Sequence, residues 1–423
     1  MSRDIEDYLI PEGTKLNTSK IKVIGVGGGG CNAVNRMYEE GIKDVEFMIC
    51  NTDIQSLSQS SISDKIQLGS VLTRGLGAGC DPDKGRNAAI ESIEDIKRCI
   101  GKNIEMVFIT AGMGGGTGTG AAPVIAKVAK EMGLLTIAVV TTPFSDEGYE
   151  TLQRAYNGLE ELKKYVDSLL MIDNQKIYEI YEDLLLIDAF KMADKVLNTA
   201  VKGIVEIITV KGIINVDMAD VKMVMNDSGM AIMGMGTAKG EDRAIKAVEE
   251  AFNSPLRNDI DLRTAKNALV NISFNENGGI KASELQTILE QIKIYTGQNF
   301  RRFKRGVVVN NSVEPGAISV TIVATGFKVQ FAPPIPERDS INDENMLTIS
   351  EEDEDPNKII LTTLISNDHI DTGNLRHIDT RDIGIYDSQT NLADFENETA
   401  LSRRERLKET RLKEERLKEQ TNG

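Results

Sequence analysis

The chain has 423 residues, with 65 acidic and 49 basic side chains and a net charge of −16, which suggests two or three domains and argues against nucleic acid as the main partner. Hydrophobic residues make up 40% of it, yet no apolar run approaches the roughly 18 residues of a membrane span, and MSRDIEDYLIPEG does not resemble a signal peptide, so a cytoplasmic protein is predicted. The only histidines, His369 and His377, fall in an acidic tail, so histidine bases, Ser-His-Asp hydrolysis and histidine-bound zinc are poor fits for the globular part.

After a polar lead-in over residues 1–20, IKVIGVG (Ile21 to Gly27) predicts a buried strand, being short, apolar and β-branched. A helix is predicted over Cys31 to Glu40, a strand over Val45 to Asp53 and a short strand in IQLGS. The loop TRGLGAGCDPDKG leads into a helix from Arg86 to Cys99. Met106 to Thr110 is a strand, followed by glycines and the helical pattern AAPVIAKVAKEMG. Leu134 to Pro143 and Ser168 to Asn174 are strands around a helix from Tyr149 to Tyr165. Strands alternating with helices at these lengths predict an α/β fold, Rossmann-like, with a mainly parallel sheet.

A helix from Ala189 to Val210 carries apolar Val196, Val201, Ile204, Val205 and Ile208, a spacing suited to a core or interdomain helix. MAIMGMGTA (strand), EDRAIKAVEEAF (helix), ALVNISFNE (strand) and SELQTILEQIKIYTG (helix) follow. Two β-rich runs around Glu314-Pro315-Gly316 complete a smaller α/β domain over residues 228–330. Residues 331–423 hold 22 acidic and 12 basic side chains, and 331–400 is predicted to be a mostly disordered linker. Within it, KIILTTLI (Lys358 to Ile365) could dock as a strand. The tail over 401–423 contains RLKET, RLKEE and RLKEQ, so Leu407, Leu412 and Leu417 each advance about 140° around a helix. It suits either an exposed charged helix or a contact segment for a partner or an anionic membrane. Cys31, Cys50, Cys80 and Cys99 are widely spaced in apolar or glycine-rich contexts, as expected of reduced thiols.

Six glycines lie within the nine residues from Gly112 to Gly120, between a strand and a helix. That layout makes a phosphate cradle, because glycine lets the backbone approach and turn its N–H groups inward. No lysine follows, and GxxxxGK[ST] occurs nowhere in the chain, so phosphate charge must be met mostly by amides. Gly25, Gly27 and Gly30 also satisfy GxGxxG, with Asp53 as a possible ribose acid, so a dinucleotide oxidoreductase is one reading. Three glycine loops (Gly27 to Gly30, Gly75 to Gly79, Gly112 to Gly120) exceed what one dinucleotide turn needs and could surround two or three phosphates. Three unrelated tight turns are the plainer alternative. In NVDMADVKMVM, Asp217 and Asp220 stand i,i+3 at a helix start behind Asn215. They are either a helix cap and a dipole partner, or carboxylates placed together for chemistry.

GGGTGTG (Gly114 to Gly120) resembles the signature of the tubulin and FtsZ superfamily. IKVIGVGGGGCNAVNRM, NTDIQSL, RGLGAG, GRNAA, AGMGGGTGTGAAPVIA, PFSDEG, GIINVDMADVKMVM and SGMAIMGMGTAKGEDRA occur in that order, and the whole resembles FtsZ, the bacterial tubulin-like cell-division GTPase family, over residues 20–328. The resemblance implies a tubulin/FtsZ-type α/β fold. It divides the chain into a flexible segment (1–20), a GTP-binding domain (21–188), a central helix with a catalytic interface loop (189–227) and a C-terminal α/β domain (228–330). It implies GTP-dependent head-to-tail filaments that form the cytokinetic ring, with hydrolysis at the interface between subunits.

Residue by residue, the resemblance assigns Gly27, Gly28, Gly29, Gly30 and Asn32 to the first phosphate loop and Asn51, Thr52 and Asp53 to the second. Gly77, Ala78 and Gly79 become the γ-phosphate-sensing loop, and Gly114, Gly115, Gly116, Thr117, Gly118 and Thr119 the cradle. Pro143 and Glu147 flank the sugar, Phe190 stacks on guanine and Asp194 accepts from its N1 and N2 hydrogens. Asn215, Asp217 and Asp220 would complete a neighbour's site. Mg²⁺ is expected on phosphates and water, with no protein metal site. Membrane-anchoring and other division proteins are expected to bind the C-terminal tail at the division site, with NLADFENETA (Asn391 to Ala400) a faint echo of the family's docking peptide. Thr151 stands where relatives commonly carry arginine, beside Glu150, with Arg154 one turn on. That departure keeps open a second reading, a nucleotide-bound structural filament with little hydrolysis.

Overall fold

Six strands of mostly apolar sequence set the architecture of the N-terminal half. In the computed structural model, which describes residues 19–176, 186–210, 212–253, 262–297 and 300–327, these are β1 (Ile21–Val26), β2 (Glu46–Asn51), β3 (Asp64–Gln67), β4 (Met106–Gly112), β5 (Leu135–Thr142) and β6 (Ser168–Asp173). They lie in the order β3-β2-β1-β4-β5-β6, all parallel. Ile24, Val26, Val107 and Ile109 pack into one apolar cluster, and Val23, Met106 and Phe108 into a second. This is the two-residue period of strands covered on both faces, which explains their unbroken apolar runs. The chain leaves β1 for β2 on one side and later returns to β4 on the other. That reversal opens a crevice at the carboxyl ends of β1 and β4.

The second half continues the same sheet. It contributes β7 (Gly212–Ile214), β8 (Gly229–Lys239), β9 (Asn267–Phe274), β10 (Arg302–Val309) and β11 (Ala317–Thr325). β8 joins β6 in parallel from Ser168↔Gly229 to Leu170↔Ala231. The eleven-stranded order then runs β8-β11-β9-β10-β7. The helix Leu186–Thr209 lies against both halves. Its Val196, Val201, Ile204 and Val205 are buried and Ile208 partly so, in one cluster with Ile137 and Leu170 on one side and Met233 and Leu269 on the other. The expected apolar stripe is therefore present.

Three local features differ from expectation. The first helix runs Gly27–Glu39, not from Cys31, so the glycines form its opening turn. The predicted helix over Arg86 to Cys99 is two helices, Pro82–Glu91 and Ile93–Ile100. Asp81 caps the first through the N–H groups of Asp83 and Lys84, with Pro82 at the first helical position. The break falls at Ser92, whose hydroxyl accepts from the Gly69 N–H at 3.0 Å. β7 was not anticipated; it pairs antiparallel with β10 at the sheet edge. The runs on either side of Glu314 to Gly316 are strands, as expected, with β9 between them in the sheet. Residues of the lead-in up to 18, KIILTTLI, NLADFENETA and the RLKE repeats lie outside the described residues.

Candidate functional site

Two helices start at the crevice, and neither N-terminus is capped by a side chain. Gly27–Glu39 follows β1 directly with Val26 at its cap position, and Thr117–Glu131 follows β4 with Gly116 at its cap. By contrast, Asp53, Asp81 and Asp217 each cap their own helices. Uncapped N-termini leave backbone N–H donors open and present the positive end of the helix dipole. The two meet closely: a Cβ on Gly27, which has φ +72°, would lie 2.8 Å from the Gly118 nitrogen.

The glycines divide by cause. A Cβ on Gly30, Gly118 or Gly120 would strike a backbone oxygen of Thr110, Gly112 or Pro82 at 2.2, 2.4 and 1.9 Å. Those positions are glycine because the protein leaves no room. Gly28 and Gly115 are exposed, have no unusual φ, and would meet nothing within 4 Å. Nothing in the fold requires glycine there. Open space beside uncapped amides fits a ligand that approaches the backbone.

The other loops close on the same point. Thr52 and Thr117 hydroxyls lie 2.6 Å apart, and the Gly77 N–H donates to the Thr52 carbonyl at 3.3 Å. Ala78 would be 2.9 Å from a Cβ on Gly116. Asn51 is buried, with its side-chain oxygen accepting from the Asp53 N–H at 3.3 Å. Asp53 accepts from the Gln55 N–H at 2.8 Å, so it serves as a helix cap. Asn32 is exposed on the first helix. The Thr119 hydroxyl accepts from the Gly114 N–H at 2.9 Å, and Arg154 donates through Nε to the Gly114 carbonyl at 3.0 Å. Arg154 also reaches the Thr151 hydroxyl at 3.0 Å and lies 3.6 Å from Glu150. So the arginine one turn beyond Thr151 ties its helix to the backbone of the glycine loop at Gly114. Pro143 is buried beside Gly114. Glu147 is exposed, and its carboxylate accepts from the Phe144 N–H at 2.9 Å, closing its own turn.

Asp194 projects from the central helix, 3.6 Å from Arg36 on the helix that begins at Gly27. Burial pushes its carboxyl above the ordinary aspartate value of 3.8, and the Arg36 guanidinium opposes the shift. Phe190 lies on the same helix, one turn before Asp194; its side chain is outside the described residues. Two residues escaped the sequence reading. Asn174, directly after β6, has a buried Oδ1 with no hydrogen-bond partner among the described residues, an acceptor left open at the sheet edge that carries the cradle. Arg36 sits in an ordinary helical sequence, and only its pairing with Asp194 marks it.

Asn215, Asp217 and Asp220 do not join this group within one chain. They follow β7, the edge strand, and the sheet order places β10 and β7 beyond five strands from β4. Asn215 Oδ1 accepts from the Gly212 N–H at 2.7 Å, fixing the turn out of β7. Exposed Asp217 caps the helix Met218–Met225 by accepting from the Asp220 N–H at 2.8 Å. The cap reading therefore holds in the structure. It engages one oxygen of Asp217 and leaves the other open.

Among the described residues, no three His, Cys, Asp or Glu side chains converge as metal ligands, and no helix is long and apolar enough to cross a membrane. The four cysteines are free. Burial pushes the Cys31 thiol up to about 12.

Known proteins resemble this chain in sequence and fold. The family model described as Tubulin/FtsZ family, GTPase domain, matches residues 20–182, and that for the FtsZ family, C-terminal domain, matches residues 229–328. The chain is 44% identical over 392 residues to the cell division protein FtsZ of Neisseria gonorrhoeae, covering 92% of this chain and 96% of that one. It is 48% identical over 314 residues to the cell division protein FtsZ of Buchnera aphidicola subsp. Baizongia pistaciae (strain Bp), covering 73% and 80%. The solved structure of an empty FtsZ dimer from M. jannaschii is similar with a TM-score of 0.67 at 41% identity, covering 75% of this chain and 95% of that one. CetZ2 from Haloferax volcanii, at 20% identity and a TM-score of 0.62 over 73% of this chain and 93% of that one, shares the fold alone.

Proposed function

The chain belongs to the FtsZ family, for which GTP-dependent self-assembly is the typical function, and on that premise we propose that it is a cytoplasmic GTPase whose head-to-tail filaments form the division ring. The observation that carries this reading is the pair of uncapped glycine helices at the crevice, with open space in front of Gly28 and Gly115. Their amides hold the phosphates, and the Gly77 to Gly79 turn meets the γ-phosphate. Asp194 accepts the N1 and N2 hydrogens of guanine, Phe190 stacks on the base, and Asn174 offers a further acceptor. Pro143 and Glu147 border the sugar. Mg²⁺, when bound with the nucleotide on phosphate oxygens and water, offsets phosphate charge.

Hydrolysis needs a second subunit. Asp217 and Asp220 of one copy orient water toward the γ-phosphoryl group held by the next, while Asn215 keeps their turn in shape. Catalysis is then positioning and electrostatics, the usual case for phosphoryl transfer. Hydrolysis weakens the contact that formed the site, so filaments turn over. Membrane-anchoring and other division proteins bind the tail, and deleting residues 391–423 should abolish recruitment to the division site.

The decisive experiment is phosphate release against protein concentration. Asp217→Asn keeps a cap-competent side chain and should bind GTP and assemble but hydrolyse little. Mixed with a Gly115→Val chain, whose added atoms enter the open space in front of the amides and block nucleotide, it should regain turnover wherever the intact loop covers a loaded cradle. A specific rate independent of concentration, or full activity in Asp217→Asn, would sink the shared site.

A further inference from the structure

A basic run, Arg301-Arg302-Phe303-Lys304-Arg305, leads into β10 at Arg302, against the helix that Asp217 caps and Asp220 opens. Strand alternation sorts it: Arg301, Phe303 and Arg305 are exposed, while Arg302 and Lys304 are half-buried. These two grip the helix Met218–Met225. Lys304 Nζ lies 2.5 Å from Asp220 Oδ1, and Arg302 Nη1 donates to the Met223 carbonyl at 2.6 Å. Asp220 and Met223 are i,i+3 on the helix, and Arg302 and Lys304 are i,i+2 on the strand, so the grips match one helical turn to one strand repeat. β7 covers β10 only at Val307 and Val308. Lys304 therefore borders an open cleft with Ile214, Asn215, Asp220, Phe303 and Arg305.

We propose that Lys304 is a positioning residue of the shared GTPase site, holding Asp220 in place and bringing a positive charge across the interface with it. The inference rests on the shared-site reading above. Two carboxylates approaching a triphosphate set like charges against one another, which opposes both docking and attack. The Lys304 ammonium neutralises one of them at a fixed oxygen. The second oxygen of Asp220 stays available to orient water, and the cation stabilises charge gathering on the γ-phosphoryl oxygens. Asp217, with one oxygen on the Asp220 N–H, is locked into the same constellation. Lys304 is thus tied to both carboxylates through a single ion pair and a single cap.

The test uses the full chain and compares Lys304→Met, which keeps the stem, with Lys304→Arg, which keeps the charge. Turnover is measured per polymerised subunit at saturating GTP, with polymer quantified by sedimentation, GTP affinity measured on unassembled subunits, and Tm recorded. Lys304→Met should lower kcat about tenfold while leaving the GTP affinity of unassembled subunits within about twofold. Lys304→Arg should restore most of the loss. In mixed filaments, a Gly115→Val chain with Lys304 intact should rescue hydrolysis of GTP held by Lys304→Met subunits. Unchanged turnover per polymerised subunit in Lys304→Met overturns the proposal, as does equal loss in Met and Arg variants accompanied by a drop in Tm. If Lys304→Met does not fold, Lys304→Gln makes the same comparison with Lys304→Arg. Full turnover in Lys304→Met with loss in Asp217→Asn rejects Lys304 alone; full turnover in both rejects the shared site as well.

Discussion

The Asp194 carboxylate and the Arg36 guanidinium face each other at 3.6 Å, joining the central helix to the helix that begins at Gly27. Burial raises the Asp194 pKa above 3.8, and Arg36 limits the rise. On the proposed reading Asp194 accepts both guanine hydrogens, which only the ionised carboxylate can do. Lowering the pH through the raised pKa should therefore weaken GTP binding, by about tenfold once protonation is complete. Arg36→Met removes the opposing charge and should move this loss to higher pH. Fluorescence titrations with labelled GTP across pH read both effects; identical profiles for wild type and Arg36→Met would refute the coupling.

The two kinds of glycine should respond in opposite ways to alanine. Gly120→Ala places a Cβ 1.9 Å from the Pro82 oxygen and should cost several kcal/mol of stability, about 3 or more given that backbone must move. Gly115→Ala meets open space and should change Tm by no more than about 2 °C, yet weaken GTP binding at least about tenfold by crowding the ligand. Thermal melts with and without GTP separate the classes.

Arg154 holds the Gly114 carbonyl at 3.0 Å while the Thr119 hydroxyl holds the Gly114 N–H at 2.9 Å. Arg154→Ala frees one side of a residue at φ +103°. A loss of about 1 kcal/mol in GTP affinity is expected, with little effect on Tm. Thr151→Arg would add a second cation but removes the hydroxyl that accepts from Arg154 and sets two guanidinium groups side by side, so it should not improve binding. Isothermal titration with GTP checks both.

In the C-terminal half, Arg243 forms a two-pronged pair with Glu284 at 2.7 and 2.8 Å and donates to the Gly316 and Gly279 carbonyls at 2.8 and 3.0 Å. The Arg243 guanidinium holds the Glu284 carboxyl below its ordinary 4.5. A lowered pKa means stability that is present above 4.5 and lost as pH falls through the folded value. Glu284→Ala leaves a half-buried guanidinium short of its anion and should cost about 3 kcal/mol. It should also flatten the acid limb of urea-melt stability below pH 4.5.

The strands were legible where burial is two-sided, as in β1, β4 and β5, because continuous apolar runs have no competing reading there. The strand–glycine–helix layout was legible because all of it stands in one stretch of chain. Other features depend on partners distant in sequence. The break at Ser92 is set by Gly69, 23 residues earlier. β7, three residues long, exists only because β10 pairs with it. Asn174, Arg36 and Lys304 occupy unremarkable sequence, and their meaning comes from what the fold sets beside them. Asp217 was read as either cap or catalyst, and its geometry is compatible with both, since capping engages a single oxygen.

A cradle whose donors are main-chain amides has no side chain to lose and no proton to gain. On the proposed reading its donors keep one state across physiological pH, so acid sensitivity on the protein side would fall to Asp194, beside the titration of the terminal phosphate itself. The same feature bears on drug resistance. A compound that mimics phosphate here is hard to evade by deleting a donor, because every residue except proline supplies the same one. Escape would require adding atoms in front of Gly28 or Gly115, where the natural nucleotide needs the same room.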